Sequence, residues 1–130
     1  MQSALSENDV SGAVIDSAIR IHQALGPGLL ESAYERVLAY ELRKRGFHVE
    51  TQVAVPLRYE DVLIEEGFRA DIIVNGTVLV ELKSVEKLSP VHKKQVFTYL
   101  KLTGIRLGLL INFGEALLKD GVVRIANGMS

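Results

Sequence analysis

Asp71, Glu81 and Lys83 stand on either side of the dipeptide Asn75-Gly76. Asn-Gly between two apolar runs is a strong hairpin signal, because both residues accept the positive φ of a tight turn. In the run after the turn, Val78, Val80 and Leu82 occupy one face of a strand, which places Glu81 and Lys83 together on the other. In the run before it, Phe68, Ala70, Ile72 and Val74 are expected to share a face, with Asp71 opposite. Residues equidistant from the turn meet across the ladder, so Asp71 is expected close to Glu81. Two such carboxylates repel unless a cation or a proton lies between them. A hard divalent ion with oxygen ligands suits that position, and it would lower the pKa of a water and neutralise charge on a phosphate. A lysine beside it can orient or deprotonate the water. The ordinary alternative is a cross-strand ion-pair cluster at a sheet edge. The apolar run Val78-Leu79-Val80 favours a site, since charge in such a setting is costly without a purpose.

Two more groups point toward the same place. His92, Gln95 and Tyr99 are spaced three and four apart on one helix face, and Glu31 and Tyr34 lie three apart just after Gly28. For the two tyrosines, core packing with the hydroxyl at the rim competes with a catalytic role. For His92 the competing reading is a solvated residue of a first helical turn. His22 and His48 are too isolated for a zinc triad, and the absence of cysteine excludes thiolate metal sites and cysteine nucleophiles. No glycine loop followed by Lys-Ser/Thr exists to cradle a nucleotide phosphate.

Fifteen basic and sixteen acidic residues leave a net charge of −1, which names no partner. The distribution says more. Lys83, Lys87, Lys93, Lys94, Lys101 and Arg106 are accompanied only by Glu86, whereas Glu60, Asp61, Glu65, Glu66 and Asp71 face a lone Arg69. A basic stretch beside a carboxylate cluster suits a metal-dependent site acting on a polyanion, and solvated helix charge is the plainer reading.

The elements that must position these residues can be read from periodicity. Asn8 or Asp9 is expected to cap a helix carrying Val10, Val14, Ala18, Ile21 and Leu25, stopped by Gly26-Pro27-Gly28. A second helix is expected over 29–45, with Leu30, Tyr34, Val37, Leu38 and Leu42 as its stripe and Gly46 at its end. Strands are expected from Val49 to Leu57, Leu63 to Val74 and Thr77 to Lys83, then a helix opened by Ser89-Pro90 and closed by Gly104. Ile105 to Asn112 has the near-continuous apolar character of a doubly buried strand, and Val122 to Ala126 can add a last one. The order α-α-β-β-β-α-β-β predicts an α/β fold with a mixed sheet flanked by helices. The 130 residues, 48% apolar and 24% charged, are expected to form one continuous domain, 1–130. The polar, acidic start from Met1 to Asp9 is unlike an export signal, and the apolar run Leu107 to Phe113 is too short to span a bilayer. A cytoplasmic protein without a membrane partner is the expectation.

Gly28-Leu29-Leu30-Glu31-Ser32-Ala33-Tyr34 followed in order by Gly67-Phe68-Arg69-Ala70-Asp71, Val80-Glu81-Leu82-Lys83 and Gln95-x-x-x-Tyr99 resembles the GxxExxY proteins of the PD-(D/E)xK, restriction-endonuclease-like superfamily. The resemblance extends from about Ile15 to Asn127. It implies an αβββαβ core, here with an extra N-terminal helix and a short C-terminal strand. It implies Mg²⁺ or Mn²⁺ bound by Asp71 and Glu81, joined by the Leu82 carbonyl, with Lys83 assisting the water and Glu31 completing the site. Gln95 and Tyr99 resemble the element that places substrate in exonuclease-type members. Ala70 stands where the superfamily's proline is named, and the acidic and basic positions are all retained. The implied activity is hydrolysis of nucleic acid phosphodiesters, DNA being the first candidate, with Lys87, Lys93, Lys94 and Lys101 holding the polymer. A non-catalytic binding or assembly module on the same fold is the alternative. The small size makes a homodimer or a protein partner an expectation for either.

Overall fold

The computed structural model describes residues 5–128; residues 1–4 of the acidic N-terminal stretch, and 129–130, lie outside the described residues. The first helix, α1 (Glu7–Leu25), begins one turn earlier than its apolar stripe suggests. Its cap is Ser6 and not Asn8 or Asp9. The Asp9 amide donates to Ser6 Oγ (3.0 Å) and the Ser6 amide donates to Asp9 Oδ2 (3.1 Å), so two end donors are satisfied reciprocally. Val10, Val14, Ala18 and Ile21 bury its inner face. Helix α2 (Glu31–Lys44) follows the Gly26-Pro27-Gly28 break and buries Tyr34, Leu38, Ala39 and Leu42.

Five strands form one sheet in chain order: β1 (Val49–Tyr59), β2 (Val62–Val74), β3 (Val78–Lys83), β4 (Leu107–Asn112) and β5 (Val122–Ala126). Neighbours pair antiparallel except β3 and β4, which are parallel and are joined through α3 (Pro90–Thr103). The β2–β3 turn has left-handed backbone at Asn75 (φ 52°) and Gly76 (φ 65°), and Val74 pairs with Val78 across it. No helix is long and apolar enough to cross a membrane among the described residues.

Two apolar layers sandwich the sheet. On one face α1 and α2 pack on Ile72, Val74, Val80, Leu82, Leu109 and Ile111. On the other, Val96 and Leu100 of α3 pack on Ala70, Ile73, Leu79 and Leu110. All of β4 is buried, as its apolar sequence requires. Gly108 lets α3 lie close: a Cβ there would sit 2.8 Å from Val96 Cγ1.

The expected alternation in β2 does not hold throughout. Phe68 and Ala70 belong to the α3 layer, whereas Ile72 and Val74 belong to the α1–α2 layer. The face switches at Asp71, opposite Gln52 of β1, whose backbone is left-handed (φ 50°) within the strand. Farther out, the β1–β2 register shifts between Val55 and Leu57, and the paired strands run on with Tyr59, Val62 and Leu63 exposed. Glu60, Asp61, Glu65 and Glu66 lie on this ribbon, and Glu66 pairs with Arg69 at 2.5 Å. Of the acidic run, Asp71 alone sits in the β2–β3 pair.

Candidate active site

The β2–β3 ladder is regular from Val74↔Val78 to Ile72↔Val80 and then changes character. At the next position side chains take over from backbone. The Asp71 amide donates to Glu81 Oε1 (3.0 Å), and the Leu82 amide donates to Asp71 Oδ2 (2.9 Å). Each carboxylate therefore crosses to the other strand and is fixed by a backbone donor.

Glu81 is 7% exposed. Burial, and then the charge of Asp71, push its carboxyl up to about 8, against the opposing bond from the Asp71 amide and a smaller pull from Lys83. The site thus retains a proton, or requires a cation, between its two acids. Lys83, half-buried, ends β3 beside Asn112 of β4, and its carbonyl accepts from the Phe113 amide (2.8 Å). Asn112 is fully buried: its Oδ1 accepts from the Val85 and Gly114 amides, and its Nδ2 donates to the Val85 carbonyl. That clamp holds the chain just beyond Lys83. Nothing in the local sequence marked Asn112, apart from its place at the end of an apolar strand.

Tyr99 reaches the site from α3. Its ring stacks on Phe68, with centroids 3.8 Å apart and planes at 3°, and its hydroxyl is held above the usual phenol range by burial and then by the charges of Glu81 and Asp71. Gln95 lies one turn earlier on the same flank, exposed. His92 caps α3, its Nδ1 accepting from the Ser89 amide (3.1 Å). Tyr34 is a packing residue: it stacks on Phe113 at 4.2 Å, donates to the Gly26 carbonyl (2.5 Å) and accepts from the Leu29 amide (3.2 Å). It thereby pins the loop that launches α2, and Ser84 Oγ donates to the Leu29 carbonyl (2.7 Å), bringing that loop beside the end of β3.

On α2 the acid tied to the carboxylates is Glu35. Gln52 Nε2 donates to Glu35 Oε1 (2.5 Å) and approaches Asp71 Oδ1 (3.4 Å). Burial, then Asp71, raise the Glu35 carboxyl above its usual range, with the Gln52 bond opposing. Glu31, one turn earlier on the same stripe, is exposed in the first turn of α2, and no such bridge joins it to Asp71. The spacing of four between these glutamates was the available signal for Glu35. Gln52 carried none, because its backbone conformation depends on the site around it. Lys87, Lys93, Lys94 and Lys101 are exposed. Around α3, at about 100° per residue, Lys93, Lys94 and Lys101 lie roughly 120–160° from Tyr99, on the flank away from the carboxylates.

The donor set fits a hard divalent ion that keeps several waters. Two carboxylates already converge, while no group of three His, Asp or Glu side chains able to enclose a metal occurs among the described residues. The model for the PD-(D/E)XK nuclease superfamily matches residues 8–125. The chain belongs to the PD-(D/E)XK nuclease superfamily. PD-(D/E)XK nucleases generally use divalent metals such as Mg²⁺. A search of curated proteins returned no match. Among solved structures, one described as the crystal structure of SSO0001 is similar with a TM-score of 0.48 and 17% identity, over 100% of this chain and 71% of that one.

Proposed function

We propose that this chain is a Mg²⁺- or Mn²⁺-dependent nuclease that hydrolyses phosphodiester bonds of nucleic acid, DNA being the first candidate. The observation that carries the reading is the crossed pair Asp71–Glu81, two converging carboxylates of which one is buried and charge-frustrated, with Lys83 beside them. Asp71 and Glu81 are the side-chain ligands in this reading, with the Leu82 carbonyl as a third donor. A bound ion supplies neutralisation of phosphate charge and a water of lowered pKa. Lys83 would orient the attacking water and offset the negative charge that builds on the phosphate as the water adds to phosphorus and an ester oxygen departs, the water's proton passing through solvent to the departing oxygen. Glu35, bridged by Gln52, steadies Asp71 and can hold an outer water; Glu31 lies at the mouth of the same stripe. Tyr99 and Gln95 place the substrate. The motif from Gly28 to Tyr34 supports assignment to the GxxExxY group, acting as one cytoplasmic domain.

The test is cleavage of labelled single- and double-stranded DNA and RNA with Mg²⁺, Mn²⁺ or EDTA. Lys83→Ala is expected to lower metal-dependent cleavage by about 10²–10⁴-fold. Calorimetric metal binding should persist in Lys83→Ala and vanish in the Asp71→Asn, Glu81→Gln double variant. Absence of Lys83-dependent cleavage on every polymer would leave a non-catalytic module on this fold.

A further inference from the structure

A groove of about 660 Å³ runs between the outer flank of α2 and the edge strand β1, starting at Glu35 and lined by Arg36, Tyr40, Arg43, Lys44 and Thr51. Its position is informative because Glu35, in its lining, is the residue that Gln52 joins to Asp71, so a single side-chain bridge separates the groove from the carboxylates. The lining has a definite chemistry. Arg36 forms no ion pair among the described residues. Arg43 spends one nitrogen on the Val49 carbonyl (2.9 Å), which fixes its guanidinium across the gap between α2 and β1. Lys44 pairs with Glu41 (3.3 Å) and lies over the Tyr40 ring, 5.6 Å from its centroid. Tyr40 is 64% exposed, so apart from the Lys44 contact its side chain faces solvent.

Cations along a groove with an open aromatic ring among them are the two parts of a surface for unpaired nucleic acid. The cations follow phosphates, and every base offers a π-face to stack. A duplex hides those faces, so the exposed ring favours a single strand.

We propose that the α2–β1 groove carries a single strand of nucleic acid to the carboxylates, its phosphates on Arg36, Arg43 and Lys44 and an unpaired base on Tyr40. The polymer path then lies along α2 and not along the lysines of α3, whose flank faces away from the site. The proposal rests on the nuclease reading for the strand's destination, but it is tested by binding alone.

Fluorescence anisotropy in EDTA, with labelled oligothymidine and a labelled duplex, measures it on the whole protein, with a thermal melt of each variant as control. Single strand should bind more tightly than duplex. Tyr40→Ala should weaken single-strand binding about tenfold, while Tyr40→Phe retains it. Arg36→Gln with Arg43→Gln should lower the slope of log affinity against log salt by about 1.4, at about 0.7 for each phosphate that is no longer neutralised. Replacing Lys93, Lys94 and Lys101 by Gln should change little. Equal binding of duplex, indifference to Tyr40→Ala, displacement of the strand by polyglutamate as readily as by oligonucleotide, or loss in the α3 variant instead would each overturn the groove. Intact groove binding with no Lys83-dependent cleavage would sink the nuclease reading alone. Cleavage that ignores both Tyr40→Ala and the arginine pair would sink the groove alone.

Discussion

Glu81 is where the site's electrostatics are concentrated. Its carboxyl titrates near 4.5 in an unfolded chain and at about 8 in the folded one. Between those values the folded protein holds a proton that the unfolded chain has released, so rising pH favours unfolding. Stability of the metal-free protein should fall across this window by up to about 1.4 kcal/mol per pH unit, and level off above the folded value. Urea unfolding over that range should show the decline in the wild type and not in Glu81→Gln. Added Mg²⁺ should restore stability most at the alkaline end, where it replaces the missing proton. A flat wild-type profile would mean that burial and the Asp71 charge do not raise the Glu81 carboxyl. At this scale much of the site was legible in sequence. Asp71, Glu81 and Lys83 are polar residues where β-alternation and an apolar run ask for something else. Glu35 was not separable from Glu31, because two acids four apart share a helical stripe and only packing decides which turn lies over Asp71. Gln52 was invisible for the opposite reason: nothing intrinsic to glutamine favours left-handed backbone, so its conformation is imposed by the partners on either side.

The placement of α3 determines whether Tyr99 can take part at all. This helix rests on β4 through Val96 and Leu100, and its closest approach is over Gly108. A methyl group there meets Val96 Cγ1 at 2.8 Å and Leu100 Cδ2 at 3.3 Å, so the helix must lift. Gly108→Ala should cost about 1–3 kcal/mol in urea unfolding. It should also weaken the Phe68–Tyr99 stack, which near-ultraviolet circular dichroism would register. Unchanged stability and an unchanged aromatic spectrum would show that α3 adapts freely. The elements themselves followed closely from the sequence, since periods of two and 3.6 change cleanly at Gly46 and Ser89-Pro90. Two departures have physical causes. The cap of α1 moved to Ser6 because a reciprocal pair with Asp9 satisfies more donors than Asn8 alone, and the face switch in β2 follows the distortion at Gln52 and Asp71.

For the whole molecule, the sheet runs in chain order and mixes short closures with one long one. Two residues join β1 to β2 and three join β2 to β3, whereas β3 reaches β4 only across residues 84–106. Asp71, Glu81 and Lys83 all lie within the β2–β3 hairpin. In kinetic terms, that hairpin closes on the microsecond scale, and the parallel pairing must wait for a much longer loop. The cluster of two acids and a lysine is thus sketched before the strand that will bury it arrives. Gly76→Ala, which strains the turn at φ 65°, should act mainly by slowing refolding. Leu109→Ala, in the centre of β4, should leave the refolding limb of the chevron nearly unmoved and speed unfolding instead. The reverse assignment of the two limbs would mean that the parallel pair nucleates the fold. If the expected order holds, a nascent chain lacking β4 already carries the paired acids on an open hairpin, and its half-formed site is exposed to solvent cations before the apolar sheet closes around it.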